Sequence, residues 1–223
     1  MINVAIIGAG QAGLATAFYL KQRGVAAVLF EGSPEVGTSW RKRYDSLKLF
    51  TLSQYSSLPG LPFPAPADHY PTKDEVADYL KCYSAHYALD VRTGTSVSRV
   101  TRTADEFQLY AGTEQITAKA VVIATGALQN PSIPAFAAEL CSSVNQWHSS
   151  EYQNADMIPE GHVLVVGRGN SGAQIAEELA TAGRLVSVSL GEMPGYLPQR
   201  FLGKDIFWWL IKSGMISTSP SYS

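Results

Sequence analysis

Two stretches of the chain share one pattern: four apolar residues, three spaced glycines, then apolar positions at helical intervals. In the first, Val4, Ala5, Ile6 and Ile7 read as a strand buried on both faces, and Gly8, Gly10 and Gly13 follow in the G-x-G-x-x-G order. A helix is predicted from near Gln11, burying Leu14, Ala17 and Phe18, until Gly24 breaks it. Residues 25–30 read as the next strand, with Glu31 at its tip. The second stretch repeats the order. Residues 163–166 lead into Gly167, Gly169 and Gly172; Ala173, Ala176, Leu179 and Ala180 form a helix face, Gly183 ends it, and residues 185–190 read as a strand.

The chain between them is less regular. Residues 32–71 are rich in Ser, Pro and aromatics, and a connection this long in a folded unit is usually functional. Thr72 and Glu75 form a capping box opening a helix with Val76, Tyr79, Leu80, Tyr83 and Tyr87 at helical spacing. Short strands over 96–101, 107–110 and 115–118 predict a small antiparallel meander. A separate buried strand over 120–124 ends in Thr125 and Gly126, and Pro131 and Pro134 mark a linker. The expected fold class is α/β: two Rossmann-like, doubly wound, three-layer units that bind dinucleotides, the first carrying the meander.

The glycines state the chemistry. Gly8 permits a tight turn, Gly10 lets backbone approach a pyrophosphate, and Gly13 lets helix pack on strand. The free N–H groups of the helix start, at Gln11 and Ala12, and its positive dipole end would face the phosphates. Glu31 can accept both hydroxyls of an adenosine ribose, which points to FAD rather than FMN. Two such fingerprints imply two cofactors, a flavin and NAD(P)H, with hydride passing between them. Glu192 follows the second motif at the expected strand tip. A carboxylate there repels a 2′-phosphate, so NADH is expected to serve at least as well as NADPH.

Composition removes other classes. With 46% hydrophobic and 16% charged residues, the 223-residue chain is that of an ordinary globular protein. A net charge of −2 without charge runs argues against nucleic acid or an anionic membrane as partner. Cys82 and Cys141 form no C-x-x-C, which argues against a redox dithiol and a disulfide framework. His69, His86 and His162 have no metal-ligand spacing. No apolar run is long enough to span a bilayer, and the first strand starts too early to leave room for a signal peptide, so a cytoplasmic protein is expected.

GAGQAG, Glu31, Trp40-Arg41, Phe63-Pro64, Ala124-Thr125-Gly126, His148-Ser149-x-x-Tyr152 and GRGNSG together resemble the flavin-containing monooxygenases over nearly the whole chain. The resemblance implies an FAD-binding domain over 1–157 and a partial NAD(P)-binding unit over 158–212. By it, the first motif with Glu31 and Gly32 holds the adenosine diphosphate. Trp40 and Arg41 lie close to the flavin, and Val97, Thr125 and Gly126 near its adenosine half. Gly167, Gly169, Asn170, Ser171, Gly172 and Glu192 hold the nicotinamide dinucleotide. Trp40 also reads as a core anchor, Arg41 as part of a solvated charge cluster, and His148 and Tyr152 as hinge packing. Ser142 and Val144 replace a Phe and a Gly of the family fingerprint, and Phe50 stands where many members have Asn. Residues 213–223 read as a disordered Ser-rich tail, and the segment that completes the FAD domain in family members is expected to be missing. A small-molecule substrate is expected, and a homo-oligomer or completing partner chain is possible on this reading. The rival functions are a non-catalytic nucleotide-binding protein and a reductase that inserts no oxygen.

Overall fold

The computed structural model describes residues 1–127, 130–167, 169–191 and 198–216; Glu192 and residues 217–223 lie outside them. Chain order begins with the predicted unit: β1 (Ile2–Ile7), α1 (Gln11–Gln22) and β2 (Ala27–Phe30). β2 starts two residues later than the pattern suggests, because the Val25 N–H is drawn back to the Leu20 carbonyl to close α1. A short helix α2 (Thr38–Arg41) and α3 (Lys73–His86) follow. Then come β3 (Asp90–Arg92), β4 (Val97–Arg102), β5 (Phe107–Ala111) and β6 (Glu114–Ile123).

These strands form one sheet in the order β3-β2-β1-β6-β5-β4. β6 corrects the sequence reading. The runs over 115–118 and 120–124 are one strand, since Lys119 interrupts the apolar run without a glycine or proline to break the chain. The first half of β6 pairs antiparallel with β5, Phe107 opposite Ala118; the second half pairs parallel with β1, Ile7 opposite Ile123. The predicted meander is therefore no separate layer but the far side of the parallel sheet. β3 has too few residues to announce itself, yet it pairs parallel with β2.

On one face, Val4 and Ile6 meet Leu14 and Ala17 of α1 and Val76, Tyr79, Leu80 and Tyr83 of α3 in one buried cluster. The other face gathers Ala5, Ile7, Phe30, Leu109 and Ala118. α3 begins with the predicted capping box, Thr72 Oγ1 accepting from the Glu75 N–H and Glu75 Oε2 from the Thr72 N–H. Its tyrosines order the long connection. Tyr79 Oη accepts from the Leu58 N–H and donates to the Leu61 carbonyl, and Tyr83 donates to the Pro59 carbonyl.

The second stretch folds as β7 (His162–Val166), α4 (Asn170–Thr181) and β8 (Leu185–Ser189), the strands pairing parallel. α4 buries Ile175 and Leu179 against Tyr44, Tyr152 and Ile158. The opposite face of this two-stranded sheet is open, with Leu164 62% and Leu185 67% exposed. A hairpin of β9 (Arg200–Phe201) and β10 (Lys204–Asp205) leads into α5 (Ile206–Lys212), capped by Asp205. Part of the expected tail is ordered: the Ser213, Gly214 and Ile216 N–H groups bond to carbonyls of α5. The architecture is α/β with a parallel-rich central sheet, as the alternating pattern requires.

Candidate functional site

The first glycine turn sits at the C-terminal end of β1. Gly8 has φ +101°, and a Cβ there would stand 2.4 Å from the Ala124 carbonyl oxygen. A Cβ on Gly13 would stand 2.0 Å from the Gly8 carbonyl oxygen, so α1 rests directly on the turn. Gly10 is different in kind. Among the described residues, nothing lies within 4 Å of where its Cβ would be. It is the N-cap of α1, and no side chain caps that end. The helix therefore offers no acceptor to the first-turn N–H groups of Gln11, Ala12 and Gly13, and Gln11 and Ala12 are exposed. An open, uncapped helix start of this shape suits a pyrophosphate.

Glu31 stands at the tip of β2 as expected, but it has a task the sequence does not reveal. Its Oε2 accepts from the Ala9 N–H at 3.0 Å and its Oε1 from the Ser33 N–H at 2.9 Å. The carboxylate thus ties the glycine turn to the strand tip, and each oxygen keeps capacity for a further donor such as a ribose hydroxyl. Gly32 is exposed with Ser96 Cβ 3.5 Å from its would-be Cβ, and Val97 opens β4 next to Ser96. Thr125 and Gly126 leave β6 just past Ala124, whose N–H bonds the Ile7 carbonyl at 2.8 Å. Gly8, Gly10, Gly13, Glu31, Gly32, Thr125 and Gly126 therefore gather at one end of the sheet.

Trp40 is half-buried against the main core cluster. Arg41 faces acids: Glu35 at 3.5 Å, Asp74 at 3.4 Å, and Asp78 in a hydrogen bond. Behind them is a residue that sequence reasoning missed. Lys73 is buried, and its Nζ donates to the Arg41 carbonyl at 3.2 Å, the Arg43 carbonyl at 3.0 Å and Asp45 Oδ1 at 2.8 Å. In sequence Lys73 looks like any charged first-turn residue, because nothing in the pattern marks a lysine that turns inward. Lys73 first, then Asn154, holds the Asp45 carboxyl below the usual aspartate range.

The second glycine turn copies the first. Gly167 has φ +106°, a Cβ on Gly172 would stand 2.4 Å from the Gly167 carbonyl oxygen, and Gly169 faces open space. Gly169 caps α4 without a side-chain bond, leaving the Asn170 and Ser171 end free of a local acceptor. Tyr44 reaches this end from the first unit, its hydroxyl donating to Gln174 Oε1 at 3.1 Å. Burial pushes the Tyr44 phenol up, opposed by the Ser171 hydroxyl. Tyr152 packs beside Tyr44, ring centroids 6.4 Å apart, its hydroxyl buried with no hydrogen-bond partner among the described residues. His148 closes a local turn with Ser150 and Glu151. Phe50 is exposed and stacks on Phe207 of α5, centroids 5.9 Å apart.

The sequence family described as pyridine nucleotide-disulphide oxidoreductase matches residues 5–194. The chain is 43% identical over 217 residues to an uncharacterized CzcO-like oxidoreductase of Geobacillus kaustophilus, covering 97% of this chain and 62% of that protein. It is 34% identical over 207 residues to the indole-3-pyruvate monooxygenase YUCCA1 of Oryza sativa subsp. japonica, covering 91% of this chain and 51% of the relative. The fold matches a flavin-containing monooxygenase from Stenotrophomonas maltophilia with a TM-score of 0.82 and 31% identity, over 89% of this chain and 60% of that one. The chain thus spans 51–62% of the length of these proteins.

Proposed function

We propose that this chain, which belongs to the pyridine nucleotide-disulphide oxidoreductase family, is the cofactor-holding part of an FAD-dependent oxidoreductase that takes hydride from NAD(P)H. One observation carries the reading. The same cradle occurs twice: a Cβ on the helix glycine would stand 2.0 Å (Gly13) or 2.4 Å (Gly172) from the carbonyl oxygen of the turn glycine, and an open, uncapped helix start lies above each. A single cradle suits one dinucleotide; two suit a donor and an acceptor of hydride. The similarity to monooxygenases over most of the chain supports the same assignment.

In this reading residues 1–157 hold FAD and 158–212 hold the nicotinamide dinucleotide. Gly10, Gln11, Ala12 and Gly13 present backbone to the FAD pyrophosphate, and Glu31 accepts from its adenosine ribose. Gly32, Val97, Thr125 and Gly126 line the adenosine half, while Trp40 and Arg41 approach the isoalloxazine end. Gly167, Gly169, Asn170, Ser171 and Gly172 take the second pyrophosphate, and Glu192, by repelling a 2′-phosphate, lets NADH serve at least as well as NADPH. Bound flavin supplies the redox chemistry, accepting hydride and returning electrons to dioxygen or another acceptor. The protein's part is to bind both dinucleotides, orient them and keep water out. With Phe50 offering no donor or acceptor, most of the electrons end in hydrogen peroxide rather than in an oxygenated small-molecule substrate.

The test is the visible spectrum of the purified protein after incubation with FAD, before and after NADH under anaerobic conditions. A yellow protein that bleaches supports the assignment. One that stays colourless after FAD and gel filtration overturns it in favour of a non-catalytic binding protein.

A further inference from the structure

The two β-α-β units are joined by a contact between α4 and the loop after α2. Gln174, on the second turn of α4, lies against Lys48 of the first unit. Its Nε2 donates to the Lys48 carbonyl at 2.8 Å, and its Oε1 accepts from the Lys48 N–H at 3.3 Å and from the Tyr44 hydroxyl at 3.1 Å. One helical turn further, Glu178 Oε2 accepts from Ser46 Oγ at 2.5 Å. Between these bonds, Tyr44 and Leu47 pack on Ile175 and Leu179. The segment in question is itself held stiffly, since Lys73 binds the Arg41 and Arg43 carbonyls and Asp45, and Asp45 also accepts from Asn154 at 2.9 Å. A rigid path therefore runs from Trp40 and Arg41 through residues 44–48 to the helix that begins at the second glycine turn.

We propose that Gln174 is a positioning residue, whose paired amide bonds with Lys48 lock the second glycine turn in one placement relative to the first. The proposal rests on the functional reading above for its consequence. Hydride transfer needs donor and acceptor atoms about 3–3.5 Å apart, and a misplacement of about 1 Å costs on the order of 100-fold in rate. A unit joined only by an apolar patch could slide; two directional bonds to one backbone residue fix the register as well. Neither turn touches Gln174's amide, so its effect passes through α4 and not through cofactor contact.

The experiment uses Gln174→Met, which keeps the side chain's length, and Tyr44→Phe, which keeps the packing and removes one bond. In the apoprotein, spin labels at Cys82 on α3 and at an introduced Glu177→Cys on α4, with Cys141→Ser, report the distance between units. The parent should give one narrow distribution, Tyr44→Phe a similar one, and Gln174→Met a broad one. In the FAD-loaded protein, the rate of flavin reduction at saturating NADH should fall by about 10- to 100-fold in Gln174→Met. FAD and NADH dissociation constants should stay within about threefold, or 0.7 kcal/mol. An unchanged distance distribution overturns the lock, and a broadened one with unchanged reduction overturns its positioning role. A parent that shows the narrow distribution but binds no FAD instead overturns the functional reading. If Gln174→Met fails to fold, Gln174→Glu decides: it has no N–H for the Lys48 carbonyl, and an unaltered distance distribution and reduction rate there sinks the proposal.

Discussion

Lys73 Nζ and Asp45 Oδ1 lie 2.8 Å apart, the lysine side chain 9% exposed and the aspartate 55%. All three ammonium protons are used, two on the Arg41 and Arg43 carbonyls. Replacing Lys73 with Met removes a buried charge but strands two carbonyls and a carboxylate. Because Asp45 can be hydrated, the loss should be about 1–3 kcal/mol rather than that of a fully buried pair. Urea denaturation of the apoprotein measures it.

The same pair sets an acid dependence. Lys73, then Asn154, lowers the Asp45 carboxyl, so Asp45 is more readily ionised folded than unfolded. Its contribution is complete above the ordinary aspartate value of about 3.9 and is lost as pH falls through the lower folded value. The stability gap between the parent and Asp45→Asn should be constant from neutrality to about pH 5 and close below about pH 4. A gap that persists into stronger acid would contradict the pairing.

Gly13 and Gly10 should separate folding from binding. A Cβ at Gly13 meets the Gly8 carbonyl oxygen at 2.0 Å, and backbone cannot step aside as a side chain would. Gly13→Ala should cost more than about 2 kcal/mol in the apoprotein. Gly10→Ala meets open space and has φ −80°, so the apoprotein should melt as the parent does while FAD binding weakens. Calorimetry without FAD and fluorescence titration with it read the two effects. Gly172→Ala and Gly169→Ala should repeat the contrast toward NADH.

Glu31→Gln should keep part of the turn's tie to Ala9 and Ser33 while losing the charge. FAD affinity is expected to fall by about tenfold, the worth of one charge-assisted hydrogen bond. Glu31→Ala should add an apoprotein destabilisation of about 1 kcal/mol for the N–H groups left without it. Unchanged FAD affinity in both variants would remove Glu31 from the site.

Peroxide should appear nearly in step with NADH oxidised, and a generic thioether should not change the ratio. Phe50 gives no hydrogen bond, and its ring is engaged with Phe207. Tight coupling to sulfoxide, measured as sulfoxide per NADH, would show that another group near Ser53 and Tyr55 supplies the missing donor.

The β-α-β units were legible because their signals are local. Gly8, Gly13 and Gly172 stand where a Cβ would meet backbone, and Gly167 has φ +106°, which favours glycine. Thr72 and Glu75 announced α3 in the same way. What stayed hidden was long-range. Nothing in the sequence around Lys48 indicates a partner 126 residues later, and Lys73 reads as exposed because its acceptors are carbonyls of a loop without periodicity. The division between 118 and 120 is not a strand end, because a strand with different neighbours on its two sides tolerates one outward lysine at 119.

β6 has a consequence for synthesis. β1 has two parallel neighbours, and one of them is made of residues at the far end of β6. At about 5–20 residues per second, β2 leaves the ribosome roughly 5–20 s before Ile123 does. Throughout that interval β1, α1 and β2 can associate, but one side of β1 has bare N–H and C=O groups ready to pair with any passing strand. The hairpin of β5 and β6 closes over a few residues and forms quickly once made. It then arrives at β1 as a preformed ribbon, so the newborn chain shelters that open edge in one docking step.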